Sequence, residues 1–107
     1  MDTNRILEVL KELTLDFVNK KRGRQETVRL LHERIDENDI YKLDKTESQR
    51  DFITEVFVSL DNLTNTEFAP SIEEMEYFAE CFEGKRIFYQ PEVRKFAVGS
   101  FDDKDNK

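Results

Sequence analysis

The chain has 107 residues, 37% of them hydrophobic and 38% charged, with a formal net charge of −7. A chain of this length suits one small domain, able to bury roughly 60–70% of its unfolded surface in a single core. Three Gly and two Pro are too few for the turns of an all-β protein, and Cys81 alone allows no intramolecular disulfide.

The first predicted helix runs from Thr3 to Lys20, because Ile6, Leu10, Leu13 and Phe17 recur at helical spacing and Leu7, Val9 and Val18 widen the stripe. Asp2 or Thr3 is placed to cap it. Lys20-Lys21-Arg22-Gly23-Arg24 follows, with Gly23 the natural turning point. A second helix covers Arg24 to Glu37 with Val28, Leu31 and Ile35 inward, and the polar connection Asp36 to Lys45 has room for a short helical turn.

Thr46-Glu47-Ser48-Gln49 has the spacing of a capping box and opens a third helix, whose broad apolar face is Phe52, Ile53, Val56, Phe57, Leu60 and Leu63. It ends near Asn62 to Asn65, where short polar side chains compete for the backbone. Ser71 to Glu74 is a second capping box, and Ile72, Met75, Phe78, Ala79 and Phe82 of the fourth helix face inward until Gly84 stops it. Ile87-Phe88-Tyr89 reads as a short strand or an apolar connection, and Pro91 to Val98 as a short fifth helix. The expected architecture is all-α: a single small domain over residues 1–101, an antiparallel bundle of four to five helices, with residues 102–107 a disordered acidic tail.

Charge is the most informative feature. Between Asp51 and Gly84 stand nine acids, Asp51, Glu55, Asp61, Glu67, Glu73, Glu74, Glu76, Glu80 and Glu83, and no Lys or Arg. At about 100° per residue, Glu73, Glu76, Glu80 and Glu83 share an arc of about 80° beside the apolar face. Like charges three and four apart each cost an isolated helix about 0.2–0.5 kcal/mol, so a helix selected for stability alone would intersperse cations. On the third helix Asp51, Glu55, Val58 and Asn62 share another arc, which leaves Val58 among acids. One reading is a surface that confers solubility. The other is a face for a basic partner, with Val58 or Tyr77 as its apolar anchor and Asp51, Glu55, Val58, Asp61, Glu73, Glu76, Tyr77, Glu80 and Glu83 as its contacts.

No constellation of a catalytic, cofactor or metal site is legible. His32 is the only histidine and reads as a structural or surface residue; Cys81 has no Cys or His at metal-ligand spacing. The carboxylates are abundant but none is marked as an acid–base pair, and the calcium-loop and phosphate-loop patterns are absent. Lys20, Lys21, Arg22 and Arg24, with Arg29 near, form the one basic cluster, yet a net charge of −7 argues against a nucleic-acid-binding module. The opening MDTNRILEVL has charged residues where a signal peptide would place its apolar region, so none is expected there, and the longest apolar runs, such as Val56-Phe57-Val58, fall far short of the about 20 residues of a membrane span. The expected location is the cytoplasm.

The opening helix LEVLKELTLDFVNKKRGR, the following QETVRLLHERIDE, and the acidic segments FITEVFVSLDNLTNTEF and PSIEEMEYFAECFEG together resemble the colicin-like immunity proteins of bacterial toxins, including those paired with contact-dependent inhibition toxins. The resemblance lies in helix pattern and charge style and extends to Gly84. It implies a non-enzymatic protein that binds a cognate toxin, frequently a tRNA- or DNA-cleaving nuclease, and blocks its active site or the route to it. A cleft that grips phosphate is basic, so carboxylates can fill it. The alternative is an acidic adaptor, or a nucleic-acid mimic that binds another basic protein.

Overall fold

The computed structural model describes residues 2–44 and 46–93. The expectations for residues 94–107, including the end of the fifth helix and the acidic tail, lie outside the described residues. Among the described residues the helices follow in the order α1 (Thr3–Val18), α2 (Arg24–Arg34), α3 (Glu37–Tyr41), α4 (Arg50–Asp61) and α5 (Ile72–Phe82). Residues 90–93 are helical as well, and no strand occurs among the described residues.

Each helix begins and ends for a local reason. Asp2 caps α1 by accepting from the Arg5 amide at 2.8 Å. The helix closes on a double reversal in which the Lys20 amide donates to the Phe17 carbonyl and the Lys21 amide to the Asp16 carbonyl, at 3.0 and 2.8 Å. That motif needs a left-handed residue, and Lys20 supplies it at φ 64°. The turn therefore falls at Lys20, not at Gly23, which has ordinary extended backbone and heads α2. The end of α5 has the same motif: the Gly84 amide bonds to the Cys81 carbonyl and the Lys85 amide to the Glu80 carbonyl, with Gly84 at φ 76°.

The second helix stops at Arg34, three residues before the expected Glu37. Ile35 is extended, and Asp36 turns to cap α3 by accepting from the Asn38 amide at 2.9 Å. Its buried residues are Thr27, Leu30 and Leu31, while Val28 is half-buried at the core's edge. Ile40 of α3 supplies the helical turn expected in this connection and buries its side chain. The capping box at Thr46 does not form. Asp44 takes both the amide and the hydroxyl of Thr46 at 2.9 Å, and α4 starts behind Gln49 without a side-chain cap.

Four helices make the bundle, and α3, which lies between α2 and α4 in the chain, packs on α4. α1 contacts α2, α4 and α5, and α2 contacts α4. Phe17 and Val18 of α1 share a groove with Ile72 and Glu76 of α5, and Leu7 shares one with Cys81 and Phe82, so these two helices run antiparallel. α4 and α5 are also antiparallel: Ser59 meets Glu74, and the Phe52 ring packs against those of Phe78, Phe82 and Phe88 at 6.3, 4.9 and 5.1 Å. The predicted stripe Ile6, Leu10, Leu13, Phe17 is buried, as are Ile53, Val56, Phe57, Leu60, Leu63, Met75 and Phe78. Each such side chain contributes about 1.5–3 kcal/mol through removal of apolar surface from water. Ile72, expected inward, is 49% exposed: it is the first residue of α5 and only part of its side chain is covered. No helix among the described residues is long and apolar enough to cross a membrane.

Candidate functional site

The acidic stretch lies on α4, on α5 and on the loop between them. On α4 the core-facing residues Ile53, Val56, Phe57 and Leu60 fix the helix's rotation, and this turns Asp51 and Val58 outward. Val58 is 42% exposed, an apolar side chain between Asp51 and Glu55 on one side and Asp61 on the other. Asp51 lies 3.5 Å from Arg50 at the surface. Glu55 is half-buried and accepts from the Gln90 side chain at 3.1 Å. Asp61 meets His32 of α2 at 2.5 Å, which gives the only histidine a partner across the α2–α4 contact.

On α5 the predicted arc divides in two. Glu73 and Glu76 are exposed and have no ion-pair partner among the described residues. The other half is used internally. After the reversal at Gly84 the chain runs back beside α5, where Arg86 bonds to Glu80 at 2.6 Å and sets its guanidinium 5.5 Å from the Tyr77 ring centre. Lys85 pairs with Glu83 at 3.3 Å. Tyr77 is only 3% exposed, and its hydroxyl accepts from the Tyr89 amide at 2.8 Å. It anchors the chain's own returning segment, so it has no surface to offer a partner as the sequence led one to expect. Burial pushes the phenol's pKa up, against the Tyr89 hydrogen bond, which lowers it.

Glu74, the second acid of α5, is a different kind of group. It is 6% exposed and accepts from the Ser59 hydroxyl at 2.7 Å. Its amide bonds to Ser71, so half of the predicted capping box forms, but its carboxyl turns to α4 instead of back to the cap. Burial raises its pKa, the Ser59 bond lowers it, and the charge of Glu55 raises it further. It joins two helices and is absent from the open acidic surface.

The returning segment also exposes apolar surface that periodicity could not assign. Ile87 is 92% exposed and Tyr89 is exposed, both on the stretch that Gln90 ties to Glu55. The readable signal was the run Ile87-Phe88-Tyr89 itself: Phe88 goes inward to Phe52 and its two neighbours stay out.

The basic cluster divides as well. Arg22 is held by Asp16, Glu12 and Glu26 at 3.0, 3.6 and 3.7 Å, and Arg29 by Glu33 and Glu26 at 2.7 and 3.8 Å. Arg24 stacks over Phe17 and donates to the Leu63 carbonyl at 3.0 Å. Lys20 and Lys21 are exposed and have no carboxylate partner among the described residues. The Cys81 thiol is half-buried, and burial pushes its pKa up, away from thiolate reactivity. No group of three or more His, Cys, Asp or Glu among the described residues could hold a metal ion. No protein-family model, curated protein or solved structure matches this chain.

Proposed function

We propose that this chain is an immunity protein: it binds a cognate bacterial toxin, a tRNA- or DNA-cleaving nuclease, and neutralises it by covering its basic cleft. The supporting observation is the exposure of Val58 on α4, in a stretch from Asp51 to Gly84 that holds nine acids and no Lys or Arg. An exposed apolar residue close in sequence to Asp51, Glu55 and Asp61 suits a contact in which the rim is matched electrostatically and the centre is desolvated. The contact set is Asp51, Glu55, Val58 and Asp61 on α4 with Glu73 and Glu76 on α5. Carboxylates in this setting speed encounter with a basic surface and select against acidic ones.

The test is genetic and biochemical. Co-expression with a toxin from a neighbouring gene rescues growth, and affinity capture recovers that toxin domain. Failure to rescue, with capture of a DNA-binding host protein instead, would replace this reading with that of an acidic adaptor.

A further inference from the structure

Two consecutive residues of the returning segment bind two different helices. The Tyr89 amide donates to the Tyr77 hydroxyl on α5 at 2.8 Å, and the Gln90 side chain donates to Glu55 on α4 at 3.1 Å. Phe88, just before them, packs on Phe52 of α4 with ring centres 5.1 Å apart. Residues 88–90 therefore clasp α4 to α5. A second link joins the same two helices, the Ser59 hydroxyl donating to Glu74 at 2.7 Å. Ser59 follows Glu55 by four residues and Glu74 precedes Tyr77 by three, so each pair shares a face of its helix. The clasp and the Ser59–Glu74 bond close one seam, a turn apart.

Glu74 is the ionisable group buried in that seam. It is 6% exposed, and no cation pairs with it among the described residues. From α4 it meets Ser59 and the charge of Glu55. Along α5 the Tyr77 phenol lies one turn on, with Glu92 adding negative charge beside it. The returning segment brings the uncharged Gln90, while its cations Lys85 and Arg86 are held by Glu83 and Glu80. The buried side chains of α1 include no ionisable group. An ionised Glu74 thus meets burial and a like charge, with a hydroxyl to offset them.

We propose that residues 85–90 are a proton-operated clasp on the α4–α5 seam, closed while Glu74 carries its proton and released when the carboxyl ionises. Release breaks the Tyr89 and Gln90 bonds, admits water to the seam and lets Glu55 turn away from Glu74. The linkage has a fixed sign. Closure favours the protonated acid, so Glu74 binds its proton more tightly closed than open, in line with the elevation of its pKa by burial and by Glu55. The clasp is tightest below the ordinary glutamate value of 4.5 and loosens as pH rises through the closed one. The inference does not rest on the toxin reading. If both hold, release frees Glu55 one turn from Val58, and binding at the α4 edge strengthens as pH rises.

Hydrogen exchange at the Tyr89 amide tests the clasp. It is followed from pH 4.5 upward as a protection factor, which removes the intrinsic pH dependence of exchange. Wild-type protection at Tyr89 falls about tenfold per pH unit between the open and closed pKa values of Glu74, then levels off. In Glu74→Gln it does not change with pH. Tyr89 is throughout less protected than Leu10 in the core of α1, because the clasp opens without the bundle. Reciprocity supplies a second readout. In Tyr77→Phe/Gln90→Ala, which removes both bonds of the clasp, the titration midpoint of Glu74 moves down toward the ordinary value, read from the carbon NMR shift of its carboxyl. Protection at Tyr89 that is flat with pH in the wild type, or that falls in parallel in Glu74→Gln, overturns the inference. So does equal protection at Tyr89 and Leu10, or an unmoved Glu74 midpoint in a double variant with wild-type circular dichroism.

Discussion

The Tyr89 amide donates to the Tyr77 hydroxyl at 2.8 Å, and this bond holds the segment after Gly84 against α5. It explains why half of the acidic arc is closed: the same segment delivers Arg86 to Glu80 and to the Tyr77 ring. Tyr77→Phe removes the acceptor and leaves the Tyr89 amide without it. The expected cost is about 1–3 kcal/mol if that amide stays buried, and less if the segment lifts away to water. Denaturant unfolding measures the cost, and hydrogen exchange at Tyr89 separates the two outcomes. A variant with wild-type stability and wild-type protection at Tyr89 would show that the segment is held otherwise.

Glu74 makes stability depend on pH with a definite sign. Its pKa in the folded protein is raised above the ordinary glutamate value of 4.5, by burial first and by Glu55 in addition. The native state therefore holds this proton more tightly than the unfolded chain. The stabilisation is complete below the ordinary value and is lost as pH rises through the folded one. Glu74→Gln keeps an acceptor for Ser59 and removes the titration. Chemical denaturation across pH 4.5 and above should show the variant gaining on the wild type as pH rises. Parallel curves would mean that Glu74 titrates normally.

The ends of α1 and α5 form a natural pair for comparison, since one motif is closed by Lys20 at φ 64° and the other by Gly84 at φ 76°. A side chain in the left-handed region costs about 1–2 kcal/mol, partly offset for glycine by its greater freedom when unfolded. An added Cβ at Gly84 meets nothing within 4 Å, so Gly84→Ala isolates the conformational cost. Gly84→Ala should lower stability by about 1 kcal/mol and Lys20→Gly raise it by somewhat less than that. Thermal melts of the two variants check both signs, and shifts in the same direction would contradict the comparison.

What the sequence made legible follows from what periodicity encodes. The buried faces of α1 and α4 repeat every three or four residues and could be read directly, as could Met75, Phe78 and Ala79 of α5, whereas Ile72 and Tyr77 could not. The boundary of α2 could not, because Asp36 suits both a continuing polar face and a cap, and only packing of Ile35 and Ile40 decides. The turn at Lys20 was hidden because Gly23, the residue that prefers left-handed backbone, lies three positions further on. At the candidate surface, Asp51, Val58, Glu73 and Glu76 are exposed as projection implies. Tyr77, Glu80 and Glu83 are engaged by residues 85–90, a stretch with no period to read.

The central claim is that the Val58 edge of α4 binds a basic toxin. It is tested most directly by isothermal titration of the chain with a toxin domain taken from a neighbouring gene. Asp51 and Val58 are exposed, so Asp51→Lys/Val58→Lys should melt within about 0.5 kcal/mol of the wild type. An interface on this edge predicts that the variant binds at least about a hundredfold more weakly, near 2.7 kcal/mol, with a smaller salt dependence. Unchanged affinity in a folded variant would contradict it and move the interface off α4.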